Sequence, residues 1–468
     1  MINLKAIKNQ KFNKFKLLEV LFYTFPLSFI AGNLVISLHL LLFLILSLFV
    51  IKIEQLTFNF KNSYWLLIAF FLYFFLSTAI QFQIPGVLND TIFVQQPSWI
   101  YHPIFKSFLL IRFLVLLFVI DILFFNKIIK LKNFFFISLL CTSFVSIDVI
   151  IQYILGADLF GLKSNGYRNS GPFGDELIAG GYLQKFSFFS FFSFFYIFEF
   201  KKNKKFNYLL VFMIVIHLIG ILLSGDRMPM LLFFFGCFLI ILFVKKLRVA
   251  MISSILIFIS IFFLIYKSDP MINSAYTNFF SQINLLNYIK DNKSIEKVKK
   301  VEDLKQKDDK KNNEFTFLRH SGHNLIFQTA VIMWREQPLF GFGQKSFRIK
   351  CHEINSPETL DIRTMTLPRG CSTHPHNYYL EILSEGGIIG AVLLIAFFVF
   401  LLKNSIANQI KNNYTINPEK YLLIPVILIF FLEVWPLKST GSFFTTWNAS
   451  FFWLTAGILL ATNTKKNT

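Results

Sequence analysis

His374 and His376 flank Pro375 just before an apolar stretch, in the segment CSTHPHNYYLEILSEGGIIGAVLLIAF that begins at Cys371. An imidazole of ordinary pKa, about 6.5, can take a proton from a hydroxyl at neutral pH. If the apolar stretch is a helix, both rings stand at its N-terminus, where the dipole favours the neutral imidazole and attracts an anion such as phosphate. A neutral histidine beside an anionic leaving group can act as a general base. The plainer reading makes both histidines surface or capping residues, with Asn377 as the helix cap. Glu381 and Glu385 come four residues apart on one face of the same helix, one turn on from the histidines. Carboxylates there would orient an imidazole or hold acceptor hydroxyls; their plainer reading is a polar interfacial face.

The basic residues that could face an anion are spread along the chain. Arg227 stands in LLSGDRMPMLLFF, a tight turn between two apolar runs, with Asp226 beside it as a ready ion-pair partner. Arg112 lies inside an apolar run, and Lys185 near the start of another. Guanidinium forks bind phosphate oxygens bidentately, so Arg112, Lys185 and Arg227 would suit a diphosphate if they converge. A snorkelling Lys185 and a structural Arg112 are the alternatives. The Gly-rich stretch GADLFGLKSNGYRNSGPFGDELIAGGYLQK, from 156, allows backbone to approach a ligand closely, with Arg168 and Glu176 as its candidate contacts.

Of the four cysteines, Cys141 and Cys237 fall inside apolar runs and read as small hydrophobes. Cys351 and Cys371 lie in a polar region, and in an oxidising compartment they can pair; the closed loop of about 20 residues would be worth about 3 kcal/mol. Two free thiols are the alternative. No residue set has metal-ligand spacing, so neither a metal nor another cofactor is expected.

These residues are positioned by a chain that water alone cannot fold. The 468 residues are 55% hydrophobic and only 15% charged, with mean hydropathy +0.57; an average soluble domain is about a quarter charged. Apolar runs of membrane-crossing length recur throughout. They predict an all-α, polytopic integral membrane protein of about twelve transmembrane helices. The expected spans are 17–31, 34–51, 63–80, 104–125, 134–155, 181–200, 207–223, 229–244, 249–266, 384–402, 421–436 and 447–461. The net charge of +20 comes from lysines in short gaps between these runs, as in NKIIKLKN from 126 and KKNKKF from 201. That is the charge pattern of cytoplasmic loops and not of a nucleic-acid interface. With the N-terminus inside, the opposite short loops hold only Lys163, Arg168, Arg227 and Lys438. Both termini are therefore expected in the cytoplasm of a bacterium, in its inner membrane. The first run follows basic residues as a signal peptide would, but it lacks a small-x-small cleavage site and is expected to remain.

This orientation divides the chain into helices one to nine (1–266), one large periplasmic loop between the ninth and tenth spans (267–383), and helices ten to twelve (384–468). Within the loop, 291–314 is almost entirely charged and reads as a solvated helix or a disordered tether. The following HSGHNLIFQTAVIMWREQPLFGFG, from 320, reads as an amphipathic helix on the outer membrane face, stopped by Pro338 and a glycine turn.

Together, SGDRMPML between two helices, WREQPLFGFGQKSFRIKC in the long loop and THPHNYYLEILSEGGIIG leading into the next span resemble the O-antigen ligase and polymerase superfamily. FGDELIAGGYL before the sixth helix is similar to it as well. The resemblance implies transfer of a glycan, with inversion and without metal, from undecaprenyl diphosphate to an acceptor such as lipid A core. It gives His376 the role of activating the acceptor hydroxyl and Arg227 that of holding the diphosphate. Relatives often carry a second arginine where this chain has His323, with Arg319 four residues earlier. Arg319, Arg335, Lys345 and Arg348 are all eligible to replace it. A ligase joining glycan to lipid A core is the first expectation, and a polymerase extending the glycan on its own carrier the nearest alternative. A transporter is the alternative of another class, for which Asp121 and Asp148 in or near spans would be the ionisable residues. The chain shows no half-to-half repeat to support it.

Overall fold

The computed structural model describes residues 14–82, 103–199, 206–283, 323–355, 370–411 and 421–462, except 59, 62 and 167. Its named elements are all helical, and the one β feature among the described residues is an isolated bridge between Ala157 and Lys163. In chain order the first helices are α1 (Lys14–Tyr23), α2 (Phe25–Ile30), α3 (Asn33–Ile53), α4 (Ser63–Gln81), α5 (Pro103–Leu109), α6 (Ile111–Phe125) and α7 (Leu131–Leu155). Next come α8 (Ala179–Glu199), α9 (Phe206–Leu223), α10 (Arg227–Phe243), α11 (Arg248–Ser268) and α12 (Pro270–Ile283). The last are α13 (Asn324–Glu336), α14 (Phe347–Asn355), α15 (Tyr378–Lys411), α16 (Leu423–Glu433) and α17 (Thr446–Thr462). The charged segment 291–314 lies outside the described residues.

Among the described residues, six stretches are long and apolar enough to cross a membrane: Asn33–Ile53, Ser63–Gln81, Pro103–Phe125, Leu131–Leu155, Lys245–Ser268 and Tyr378–Gln409. Apolar but shorter are Asn207–Leu223, Arg227–Phe243 and Leu423–Glu433. Helix α3 shows why lipid is needed. Ile36, Leu40, Phe43, Ser47 and Val50 form a buried stripe, while Leu34, Leu38, Leu41, Ile45 and Leu48 are equally apolar and exposed. One face packs on protein, and only hydrocarbon suits the other. Helix α17 is instead buried on every side from Trp447 to Ala461 and occupies the middle of the bundle, against α6, α16, α3 and α15.

Three expected spans have other outlines. The run 17–31 is not one helix: α1 ends at Tyr23 and α2 restarts at Phe25, with Pro26 in its first turn. Pro26 has no N–H to offer the carbonyl of Phe22, so α1 cannot continue through it, whereas a first turn tolerates the loss. The run 421–436 is helical in α16 only over Leu423–Glu433.

The span expected from 384 starts at Tyr378 and is interrupted at Gly387, which adopts φ 63° and ψ −167°. The carbonyls and amides this releases are met by the loop that follows α13. Phe342 and Gly343 donate to the carbonyls of Ser384 (3.1 Å) and Glu385 (2.8 Å), and Ile388 and Ile389 donate to those of Pro338 (2.8 Å) and Leu339 (3.3 Å). The Tyr73 hydroxyl donates to the carbonyl of Gly386 at 2.7 Å. Irregular backbone inside a helical bundle survives only when such partners exist. A Cβ on Gly387 would lie 2.2 Å from the carbonyl oxygen of Leu339, so this position accepts glycine alone.

Candidate functional site

The residues before the break in α15 and the loops beside them gather a cluster of polar side chains. Asn377 caps α15: its Oδ1 accepts from the N–H groups of Tyr379 (3.0 Å) and Leu380 (3.2 Å). Its Nδ2 donates to the carbonyls of Pro436 (2.8 Å) and Lys438 (3.2 Å), tying the cap to the α16–α17 loop. Thr440 of that loop donates its N–H to the carbonyl of His376 at 2.9 Å. His376 has φ +55°, a backbone state costing a non-glycine residue about 1–3 kcal/mol, and these bonds on either side hold it there.

Three imidazoles meet at this point. The ring centres of His374 and His376 are 4.2 Å apart, and those of His323 and His376 4.5 Å. His376 Nε2 is 3.2 Å from Ser372 Oγ, and His374 Nδ1 is 2.9 Å from Thr373 Oγ1. Burial, helped by the neighbouring His323, lowers His376 to about 4. Burial followed by His376, Lys345 and Arg348 lowers His374 to about 3. Burial lowers His323 as well. Packed rings that would share positive charge stay neutral, so each is a proton acceptor at pH 7. His323 reaches the cluster from the N-terminal end of α13.

Cys351 of α14 and Cys371 are joined by a disulfide, with Cα atoms 5.3 Å apart. It ties α14 to the histidine loop, in a small buried core with Ala330, Met333, Phe342 and Phe347. The ligand atoms of Cys351, His352 and Cys371 lie within 4.8 Å of one another, but a metal would need the thiolates that the disulfide removes.

Glu381 and Glu385 share a face, yet among the described residues neither touches an imidazole. Glu381 accepts from Ser442 Oγ (2.5 Å) and from the N–H of Phe443 (2.6 Å), fixing the α16–α17 loop. Glu385 accepts from the N–H groups of Lys345 (2.8 Å) and Phe347 (3.3 Å) at the start of α14. Both carboxylates therefore anchor backbone of the segments packed around α15. Lys345, at φ +67°, is pinned by this bond and reaches Ser442 Oγ at 3.5 Å. Burial, despite Glu381, lowers its pKa.

The basic residues divide into groups. Arg348 Nη2 points at the carbonyl of Thr373, 3.5 Å away, beside His374. Lys106 of α5 feels the charges of Arg112 on α6 and Arg348 on α14. Arg227 begins α10 and acts electrostatically on Tyr276 of α12. Its neighbour Asp226 pairs with Arg168, Nη2 to Oδ1 at 3.0 Å, and accepts from the N–H of Gly180 at 3.1 Å. Burial raises Asp226 against both contacts. Lys185 is buried against Glu433 and stacks on Trp447 and Phe451; Lys438 also pairs with Glu433 at 3.1 Å. Arg112, Lys185 and Arg227 thus have three different sets of partners. Glu176 is exposed, as is Arg335 on α13, and Arg319 lies outside the described residues.

Sequence reasoning gave no role to Lys106, Thr440, Glu433 or Lys438. Glu433 had a signal, a lone carboxylate in LLIPVILIFFLEVW, and Lys438 was the one cation in its loop. Burial lowers Lys438 to about 7, opposed by Glu433. Of the two aspartates that a transporter would need, Asp121 binds Lys61 (2.7 Å) and Tyr64, whereas Asp148 accepts from the N–H of Leu159 at 2.9 Å through Oδ1 and has no hydrogen bond at its buried Oδ2 among the described residues.

Residues 209–395 match the family model described as O-antigen ligase. The matched stretch runs from α9 through the interruption of α15, and so contains Arg227, His323, Arg348 and His376. No curated protein matches the chain.

Proposed function

The chain belongs, through residues 209–395, to the O-antigen ligase and polymerase superfamily, and from that premise we propose that it is an inner-membrane glycosyltransferase of the ligase type. In this reading it moves a glycan from undecaprenyl diphosphate to a hydroxyl of lipid A core. The same reading has the histidine segment and the α16–α17 loop facing the periplasm, which the distribution of lysines supports. His376 takes the proton of the acceptor hydroxyl as its oxygen attacks the anomeric carbon. The bond to the diphosphate breaks on the opposite face, with inversion, and Arg227 balances the leaving charge. No metal takes part.

The observation that carries this reading is His376 packed against His323 and His374 and held at φ +55° between Thr440 and Asn377, with burial lowering its pKa. A base lowered to about 4 is weak in the free protein. An arriving diphosphate brings negative charge that favours the imidazolium, so the base strengthens only when donor is bound.

The test supplies protein in lipid with undecaprenyl-diphosphate glycan and lipid A core, and follows both glycan linkage and release of undecaprenyl diphosphate. Glycan on lipid A core, abolished by His376→Ala, supports the ligase. Longer glycan still on its carrier would make the protein a polymerase. No release from folded protein would overturn the transferase reading.

A further inference from the structure

Asp148 and Asp158 are brought together where the α7–α8 loop begins. Asp148 lies two turns before the end of α7, and its Oδ1 accepts from the N–H of Leu159 at 2.9 Å. Asp158, the residue before Leu159, presents its own Oδ1 to the N–H groups of Phe160 (2.9 Å) and Leu162 (2.7 Å). Its main chain closes the same turn, since the N–H of Asp158 donates to the carbonyl of Leu162 at 2.9 Å and Gly161 takes φ +85° at the bend. One tight turn and the helix it lies on therefore carry both carboxyl groups.

Backbone fixes one oxygen of each carboxyl group and leaves the other over. Oδ2 of Asp148 and Oδ2 of Asp158 are both buried and make no hydrogen bond among the described residues, in side chains of residues only 0% and 6% exposed. Among the described residues neither aspartate belongs to an ion pair. Lys163, the next cation along the chain, is exposed. Two buried carboxylates without a counter-charge are costly, so what the turn lacks is positive charge beside the two Oδ2 atoms.

We propose that Asp148 and Asp158 bind a calcium ion through their Oδ2 atoms, with water and loop carbonyls completing its shell. Carboxylate oxygens are the ligands of hard cations, and of these calcium accepts the irregular geometry that a loop supplies, whereas magnesium demands a near-ideal octahedron. The ion would staple the 158–162 turn to α7. The same loop runs on to Arg168, paired with Asp226 at 3.0 Å, and to Asn169, whose Nδ2 donates to the carbonyl of Leu223 at 2.7 Å. It thus spans from α7 to the turn that carries Arg227, and a cation at its start braces that span. The ion is structural and takes no part in glycan transfer, so its binding does not depend on the transferase reading.

The test titrates full-length protein in detergent, stripped with a chelator, with calcium chloride by calorimetry, and with magnesium chloride in parallel. Wild type should bind calcium saturably, with a dissociation constant of about 10⁻⁴–10⁻³ M, the range of extracellular sites. Asp148→Asn and Asp158→Asn keep the oxygen that accepts from backbone and remove the charge, and each should weaken binding by about tenfold or more. Asp175→Asn, which removes an exposed carboxylate from the same loop, should change nothing. Saturating calcium should also raise the unfolding temperature of wild type and of Asp175→Asn, but not of the other two variants. Gel filtration and circular dichroism confirm that each variant is folded. If the Asp148 and Asp158 variants fail to fold, hydrogen exchange of wild type decides, because calcium should slow the amides of 159, 160 and 162. Absence of saturable binding, equal binding by the folded Asn variants, or no calcium protection at 159–162 overturns the proposal. Asn variants more stable than wild type, with no calcium bound by any of them, would overturn it as well, by showing two neutral carboxyl groups there. Magnesium bound more tightly than calcium would overturn the choice of ion.

Discussion

Replacing Gly387 by alanine tests whether the interruption of α15 is required or incidental. At φ 63° and ψ −167° an L-residue is strained by about 1–3 kcal/mol. The new Cβ would also sit 2.2 Å from the carbonyl oxygen of Leu339, so that carbonyl must withdraw. Withdrawal breaks the bonds from Ile388 to Pro338 and from Ile389 to Leu339, at about 1 kcal/mol each. The total, about 3–5 kcal/mol, should raise the open population of this junction by about two to four powers of ten. Hydrogen exchange followed by mass spectrometry reads it directly: amides of 342–343 and 388–389 should exchange about 100-fold to 5000-fold faster. Gly174→Ala is the control, because Gly174 also has positive φ (+65°) but a Cβ there meets nothing within 4 Å. It should leave exchange at 342–343 and 388–389 unchanged. If Gly387→Ala exchanges there within threefold of wild type, the argument that the loop closes the broken helix is wrong.

His376→Ala should lower kcat about 10²–10⁴-fold, the usual worth of a general base, with donor binding largely kept; single-turnover transfer checks it. With His376 at about 4 in the free protein, kcat/KM should stay flat from pH 8 to about 5 and fall only below that, whereas kcat should lose activity at a higher pH because bound diphosphate strengthens the base. The unfolded chain binds protons on these histidines near pH 6.5 and the folded one only near 4 or below, so stability should decline as pH falls between those values; thermal unfolding at pH 7 and 5 shows the direction. Glu381→Gln replaces one acceptor oxygen by a donor and should weaken the hold on Ser442 and Phe443 by about 1.5–3 kcal/mol, lowering kcat more than it raises KM. Reduction of the disulfide should lower the unfolding temperature, since closing its loop is worth about 3 kcal/mol.

The helices could be read from the sequence because apolar length alone marks them, and the histidine segment because its polarity stops abruptly at Asn377. What could not be read was pairing across the bundle. Glu381 and Glu385 have the right spacing to serve a ligand, yet the backbone amides that occupy them come from 345–347 and 443, too distant in sequence for any local pattern. Arg112 and Lys185 look alike as cations in apolar runs. The difference is Glu433, some 250 positions from Lys185, which turns one of them into half of an ion pair. The span expected over 384–402 gave no place to an interruption at Gly387, because the carbonyl of Leu339 that demands a glycine there comes from a distant loop.

The bond between Cys351 and Cys371 makes residues 351–371 a covalent ring. A protease that cuts once within 352–370 would leave a single molecule, its two pieces linked by sulfur, and would separate neither α14 from the histidine loop nor Arg348 from His374. On a reducing gel the same nick would release two fragments. This part of the chain can therefore be severed in the backbone without dividing the apparatus that its two ends support.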